Sequence, residues 1–164
     1  IVQTVCDCKS WYIETPMKQN YQMSDTADWK TRGRQFEADE NAEWTELPNT
    51  CVELQHTLAL QKTTTEKAGR GRIDILIKED DGSYSIIEVK ATDWDVMAEH
   101  RVRPNILRHA RQVMKYVNPY WENGLDVCPG VIYPRPPHSM DRKLQVEETL
   151  AEQSIQVVWF SERD

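Results

Sequence analysis

The stretch GRIDILIKEDDGSYSIIEVKATDWD, residues 71–95, has the pattern of two apolar strands joined by a turn, but both strands carry charged residues. Asp74 lies among isoleucine and leucine residues, and Glu88 and Lys90 follow a pair of isoleucines. The Asp-Asp-Gly sequence between the two runs favours a tight turn and predicts a β-hairpin. Charged groups are costly to remove from water unless they are paired, hydrogen-bonded or bound to a metal. The charges of this hairpin therefore require a partner or a function.

Successive side chains of a strand point to opposite faces of the sheet. The alternating isoleucines of the first strand are therefore expected to share one face: Ile73, Ile75 and Ile77. Asp74 then points to the other face, where it can meet Glu88 and Lys90 of the second strand. Because Mg²⁺ prefers hard oxygen ligands, two carboxylates beside an ammonium group suit a divalent-metal site. The alternative is a solvent-facing strand with a ladder of ion pairs, since hairpins with one wet face are common.

A divalent cation at this position would have a defined chemistry. The carboxylates would hold the cation, which acts as a Lewis acid on a phosphoryl oxygen and lowers the pKa of a bound water. Lys90 would position or activate the attacking water and help to neutralise the developing negative charge. The charges of the hairpin therefore predict a site for phosphoryl chemistry.

The same residues resemble a known family. Asp74, followed by Glu88-Val89-Lys90, resembles the D…(D/E)-x-K signature of the PD-(D/E)XK nuclease superfamily. The sequence IIEVKAT (86–92) is a form that this signature often takes there. The residue before the aspartate is isoleucine rather than the proline of the name, a departure that is frequent in the superfamily.

Two further motifs are similar to those of the superfamily. GRQFE (33–37) resembles the G-x-x-F-E motif of the first core helix, which would make Glu37 the additional acidic residue. Other acidic residues nearby are alternatives for this role: Asp39, Glu40 and Glu43. Gln112 and Tyr116 resemble the Q-x-x-x-Y motif of the RecB-like branch and lie one helical turn apart. Taken alone, these motifs would describe a surface glutamate, a solvated glutamine and a boundary tyrosine.

The resemblance implies an enzyme that hydrolyses DNA phosphodiester bonds with Mg²⁺ or Mn²⁺. Asp74, Glu88 and the carbonyl group of Val89 would be metal ligands, with Glu37 as an outer or second ligand. Lys90 would be the catalytic lysine. The two residues of the Q-x-x-x-Y motif would organise the site or contact the substrate.

The predicted elements follow the order helix, three or four strands, helix, strand, helix, strand. Helices are predicted over residues 28–47, 98–118 and 141–154. The regular part of the second is expected to begin at Pro104, because proline is tolerated only near the start of a helix. The order resembles the superfamily's αβββαβ core over residues 31–135. It predicts an α/β, restriction-endonuclease-like fold with a mixed central sheet flanked by helices.

The length of 164 residues fits one domain. We expect an N-terminal cap or extension over residues 1–30 and a nuclease domain over residues 31–164. Because the chain begins with Ile1, we expect a processed chain or a domain cut from a longer protein.

Basic residues are concentrated in two segments around the hairpin: Lys62, Lys67, Arg70, Arg72, Arg101, Arg103, Arg108, Arg111 and Lys115. Positive charge beside a metal site is what a phosphate-binding cleft needs. Four residues are predicted to contact the substrate: Arg72, Thr92, Arg108 and Lys115. The alternative is an ordinary solvated helix face. Trp94 is expected to cap the sheet rather than to stack on a base.

The net charge of −7 argues against a large nucleic-acid footprint, although a cleft can differ in sign from the whole surface. The four cysteines do not match the usual C-x2-C zinc spacing and are expected to be free, mostly buried thiols in a reducing compartment. A disulfide from Cys6 or Cys8 to Cys51 is the alternative for an exported protein.

No zinc finger or helix-turn-helix pattern supplies sequence specificity, so a separate recognition subunit is one expected partner of the DNA-bound protein. The toxin domain of an exported bacterial effector, covered by an immunity protein, is an alternative to a repair or defence nuclease. In each case the domain would act in the cytoplasm. No apolar run approaches the roughly 20 residues that span a bilayer, so no membrane partner is expected. Two rival functions are an inactive nuclease-fold subunit for nucleic-acid binding or assembly, and an RNase.

Overall fold

A mixed five-stranded β-sheet lies between helices on its two faces. The computed structural model describes residues 29–45, 51–60 and 69–162. The helices and strands, in chain order, are α1 (Trp29–Thr45), β1 (Cys51–Leu60), β2 (Gly69–Lys78), β3 (Tyr84–Val89), α2 (Glu99–Glu122), β4 (Val127–Tyr133), α3 (Met140–Ala151) and β5 (Gln156–Trp159). A 3-10 turn, Phe160–Glu162, follows β5. The α/β class and the αβββαβ order of a restriction-endonuclease-like core are confirmed.

The strands are arranged in the sheet in the order in which they occur in the chain. The pairs β1–β2 and β2–β3 are antiparallel, whereas β3–β4 and β4–β5 are parallel. The predicted hairpin is confirmed, with a turn closed by hydrogen bonds from Glu79 N–H to the Ser83 carbonyl at 2.9 Å and from Gly82 N–H to the Glu79 carbonyl at 3.0 Å. Gly82 has a φ of 86°, which glycine adopts without steric cost.

Two apolar clusters cover the two faces of the sheet. On one face, the fully buried Phe36 of α1 packs with Ile75 and Ile77 of β2 and with Ile87 and Val89 of β3; we call this the α1 cluster. On the other face, buried residues of α2 and α3 form the α2 cluster with side chains of β2, β3 and β4. Crossovers between parallel strands have one hand, so the two helices that connect β3 to β4 and β4 to β5 lie on the same face.

The regular part of helix α2 begins about one turn earlier than predicted. It starts at Glu99, and Pro104 lies inside it rather than at its start. The proline nitrogen has no hydrogen for the carbonyl group of His100, one turn before it. Pro104 is exposed, so water can hydrogen-bond to that carbonyl group in place of the missing N–H. The helix also continues through Pro119.

The side chains of β1 and β2 change face in the middle of both strands. Ile75 and Ile77 belong to the α1 cluster, but Ile73 belongs to the α2 cluster, so the prediction that these three isoleucines share one face is wrong. In β1, Leu54 packs against the α1 cluster and Leu58 against the α2 cluster. Residues separated by an even number share a face in a regular strand, so the pleat is interrupted in both strands. The interruption lies beside the buried aspartate of the hairpin.

Residues 1–28 lie outside the described part of the chain, and the predicted N-terminal cap and its boundary near residue 30 stay predictions. The same holds for the two cysteines of that segment. Cys51 is exposed and Cys128 is buried, and both are free thiols. Within the described residues, no helix is long and apolar enough to cross a membrane.

Candidate active site

The hairpin strands separate where the predicted metal ligands lie. Strands β2 and β3 pair from Lys78 opposite Tyr84 as far as Ile75 opposite Ile87. Beyond this point β2 continues beside β1, and β3 continues beside β4. The next residue of β2 is Asp74 and the next of β3 is Glu88, so the two carboxylates face each other where the ladder ends. We call this position the fork.

At the fork, a hydrogen bond to a side chain replaces the backbone hydrogen bonds between β2 and β3. The N–H of Val89 donates to Oδ2 of Asp74 at 2.9 Å. On the other edge of β3, the N–H of Lys90 donates to the carbonyl group of Ile132 in β4 at 2.9 Å. These two bonds fix the position of the Glu-x-Lys segment, at the end of β3, relative to Asp74 and to β4.

Both carboxylates are buried. Glu88 is 2% exposed and Asp74 is 6% exposed. Burial raises the pKa of Glu88 to about 7; the charge of Lys90 opposes the shift, and the charge of Asp74 and a hydrogen bond between the two carboxyl groups add to it. Burial also raises the pKa of Asp74, against the Val89 N–H bond and the Lys90 charge. A divalent cation between the two groups would favour the ionised form of both.

Glu88 has one oxygen with two partners and one with none. Its Oε1 accepts hydrogen bonds from the ammonium group of Lys90 and from Nε2 of Gln112 in α2. Its Oε2 is buried and has no hydrogen-bond partner among the described residues. Buried polar atoms are almost always paired, so when both carboxyl groups are ionised and share no proton, this oxygen needs a ligand. The two carboxylates at the fork are hard oxygen donors of the kind that Mg²⁺ or Mn²⁺ prefers.

Glu37 lies on the α1 side of the fork. Its Oε1 accepts a hydrogen bond from Nε2 of Gln55 at 2.9 Å and forms an ion pair with Arg72 Nη2 at 3.3 Å. Its charge contributes to the raised pKa of Asp74, after the larger effect of burial, so the two carboxylates are near each other. Among the side chains that the structure describes, however, no three from His, Cys, Asp or Glu are grouped as metal ligands. The role of Glu37 as a ligand stays a prediction.

The two residues of the Q-x-x-x-Y motif lie in different places, Gln112 at the site and Tyr116 in the core. Gln112 reaches the fork through its contact with Glu88. Tyr116 is 7% exposed and belongs to the α2 cluster. Its predicted role in organising the site is untested by these contacts.

The four predicted substrate-binding residues lie on three elements: β2, the loop after β3, and α2. Arg72 is 62% exposed beyond its ion pair with Glu37. Arg108 is exposed and donates to Asn105 Oδ1 at 2.7 Å, and Lys115 is half-buried. These two lie four residues before and three residues after the glutamine of α2 that contacts Glu88, so they flank it on one helix face.

Thr92 lies half-buried in the loop after β3, and ion pairs anchor this loop. Arg135 Nη2 lies 3.3 Å from Asp93 Oδ2 and 3.6 Å from Asp95 Oδ2. The backbone N–H of His138 donates to Asp95 Oδ1 at 2.9 Å. Trp94, between the two aspartates, is 1% exposed, as expected of a residue that caps the sheet.

Two residues near the fork were not predicted from the sequence. The first is Gln55 of β1, which carries no sequence signal beyond being polar. The second is His109, buried in α2, whose Nδ1 lies 2.9 Å from the hydroxyl group of Tyr133. Burial lowers the pKa of His109 to about 3, and the charges of Lys90 and Arg108 add to the shift. Its position three residues after Ile106 of the apolar stripe is the signal that would have predicted its burial.

Comparisons with solved structures give distant matches. No protein-family model matches the sequence, and no curated protein matches it. A complex of EndoMS with dsDNA matches with 18% identity and a TM-score of 0.41, over 87% of this chain and 49% of that one. A repair endonuclease from Pyrococcus abyssi matches with 17% identity and a TM-score of 0.36, over the same shares of each chain. The chain thus spans about half the length of both, and at this overlap the similarity assigns no function.

Proposed function

We propose that this protein is a nuclease that hydrolyses DNA phosphodiester bonds with Mg²⁺ or Mn²⁺ held at the fork. The observation that carries the proposal is the buried Oε2 of Glu88, which has no partner among the described residues although a second carboxylate and an ammonium group lie beside it. A structural ion-pair ladder would be expected to leave no buried carboxylate oxygen unpaired. It would also be expected on a wet face, whereas both carboxylates are buried.

The proposed cation ligands are Asp74, Glu88 and the carbonyl group of Val89, with Glu37 as an outer ligand. Mg²⁺ is commonly bound through one or two carboxylates plus waters and a phosphate oxygen, so the pair at the fork is sufficient. When bound, the cation would polarise a phosphoryl oxygen and lower the pKa of a water.

The neighbouring side chains have distinct proposed roles. Lys90 orients the attacking water and offsets the negative charge that develops on the phosphoryl group. Its ammonium group is already held at the fork by Glu88. Gln112 of α2 orients the Glu88 carboxylate through a hydrogen bond. Tyr116, one turn further along α2, packs in the α2 cluster and holds the helix in place. The proposed phosphate contacts, in addition, are Arg72, Thr92, Arg108 and Lys115.

The biological setting stays a prediction. A toxin domain with an immunity protein and a repair or defence nuclease with a recognition subunit would both use this site. The two settings differ in partners, not in the chemistry at the fork.

A plasmid-nicking assay tests the proposed function. Supercoiled plasmid and a labelled RNA are incubated in parallel with the protein and Mg²⁺ or Mn²⁺, with EDTA as the blank. We expect nicking of DNA that EDTA abolishes, and a loss of about 100-fold or more in Asp74→Asn and Lys90→Ala. Asp80→Asn and Lys78→Ala, at exposed positions in and beside the hairpin turn, are matched controls and should keep full activity. Full activity of Asp74→Asn, or cleavage of RNA alone, would contradict the proposal.

A further inference from the structure

Gln55 lies in β1, opposite the fork, and its backbone conformation is strained. Leu54 pairs with Ile75 and His56 with Ile73, which places Gln55 opposite Asp74. The φ of Gln55 is 56°, in the left-handed region that residues other than glycine adopt rarely. The register is the same on both sides of it, so no residue is inserted and the distortion is not a β-bulge. Backbone strain of this kind is concentrated at functional sites.

The orientation of the Gln55 amide is determined by its neighbour. Its Nε2 lies 2.9 Å from Oε1 of Glu37. An ionised carboxylate only accepts hydrogen bonds, so the amide nitrogen must face Glu37 and the amide oxygen must point elsewhere. That oxygen is buried and has no hydrogen-bond partner among the described residues.

Two buried acceptors therefore lie on the two sides of Asp74. One is Oε1 of Gln55, on the neighbouring strand β1, and the other is Oε2 of Glu88, on the neighbouring strand β3. The other unpaired buried side-chain atoms in the described residues are nitrogen donors, of Trp94 and Arg135. Unpaired acceptors beside a buried aspartate call for a cation with its water shell rather than for another anion.

We propose that Gln55 is a positioning residue of the cation site. Its amide N–H holds Glu37 beside Asp74, and its amide oxygen accepts a hydrogen bond from a water bound to the cation. The inference rests on the proposed function, because it requires a cation at the fork. When residues that hydrogen-bond to metal ligands and orient them are replaced, metal affinity typically falls by about 10- to 100-fold.

Isothermal titration calorimetry with Mn²⁺ tests the inference without any measurement of activity. Gln55→Met keeps the length of the side chain and removes both polar atoms, so we expect Mn²⁺ to bind about 10- to 100-fold more weakly than to the wild type. Gln35→Met is the matched control. Gln35 donates to Asp39 Oδ1 at 2.7 Å on the same helix as Glu37, but this pair is exposed, and its loss should leave the affinity unchanged.

A second variant separates positioning from folding. Gln55→Gly removes the side chain and relieves the positive φ, so its thermal midpoint should be at least that of the wild type while its Mn²⁺ affinity falls as in Gln55→Met. Wild-type affinity in both Gln55 variants would overturn the role of Gln55 and leave the cation site in place. Failure of Gln55→Gly to fold would assign the side chain to folding and also overturn the inference. Absence of Mn²⁺ binding to the wild type would overturn the inference together with the cation site.

Discussion

The backbone N–H of Val89 donates to the carboxylate of Asp74 at 2.9 Å, so a proposed metal ligand also ends the hairpin ladder. Beyond this bond the two strands separate, and the space between them is where Glu88 and Lys90 meet the aspartate. Asp74 thus stabilises the fold by accepting this hydrogen bond, and it is also a proposed ligand of the cation. Substitutions of Asp74 must be chosen to separate these two roles.

Asparagine and alanine at position 74 should differ in stability. Asp74→Asn keeps an oxygen that can accept from Val89 and removes a carboxylate whose pKa burial has raised, so its unfolding free energy at pH 8 should equal or exceed that of the wild type. Asp74→Ala leaves the buried N–H unpaired and should be less stable than Asp74→Asn by about 1–3 kcal/mol. Urea unfolding in EDTA measures both values. Equal stability of the two variants would show that the Val89 bond contributes nothing.

Glu88 should make the metal-free protein less stable as the pH rises. Its pKa is raised from 4.5 to about 7 in the folded protein, so between these values the folded state binds the proton more tightly than the unfolded chain. The unfolding free energy of the wild type minus that of Glu88→Gln should therefore fall by about 3 kcal/mol from pH 4.5 to pH 7. Urea unfolding over this range in EDTA provides the measurement. A difference that is constant with pH would contradict the raised pKa.

His109 should make the protein less stable as the pH falls, which is the opposite of the effect of Glu88. Its pKa is lowered from 6.5 to about 3, so below pH 6.5 the unfolded chain takes up a proton that the folded protein does not. The unfolding free energy of the wild type minus that of His109→Gln should fall by about 1.4 kcal/mol for each pH unit below 6.5. A pH titration of the two proteins by urea unfolding checks the slope. A slope of the other sign would mean that the buried imidazole is charged.

Between pH 6.5 and 4.5 these two groups oppose each other in the wild type. Their contributions to the slope have similar size and opposite sign, so the single variants are more informative than the wild-type profile alone.

The hairpin and its three charges could be predicted from the sequence because every signal was local. Asp-Asp-Gly marks the turn, and strand alternation places Glu88 and Lys90 together. The separation of β2 and β3 at Asp74 was not predictable, because it depends on β3 pairing with β4, a strand that follows in the chain only after α2. The change of face of Ile73 was not predictable either, because it occurs where the pairing of β2 with β3 ends.

Gln55 and His109 were missed for different reasons. Gln55 combines a positive φ with a contact to Glu37 and a position opposite Asp74 of β2, and none of these has a local sequence signal. His109 does follow the helical period of the α2 stripe, but a charged or polar side chain is normally assigned to the wet face. Its burial is explained by its hydrogen bond to Tyr133 and by the ring of Trp94 against it.

Arg108 should contribute to DNA affinity in a salt-dependent way. Each phosphate contact that is lost lowers the slope of log K against log salt concentration by about 0.9. We expect this reduction for Arg108→Ala, measured by fluorescence anisotropy with a labelled duplex in the inactive Asp74→Asn background. Arg103 is also exposed on α2, but it lies about two and a half turns from Gln112 and therefore on the opposite side of the helix. Arg103→Ala should keep the wild-type slope, and equal effects of the two variants would contradict a cleft beside the fork.

The most direct test of the central claim is an anomalous difference map from crystals of the protein soaked in Mn²⁺. We predict a peak at the fork, about 2.0–2.3 Å from carboxylate oxygens of both Asp74 and Glu88, with Oε2 of Glu88 among the ligands. No peak at the fork in crystals that bind Mn²⁺ elsewhere, with Oε2 of Glu88 still buried and unpaired, would contradict the claim that these two carboxylates hold a divalent cation.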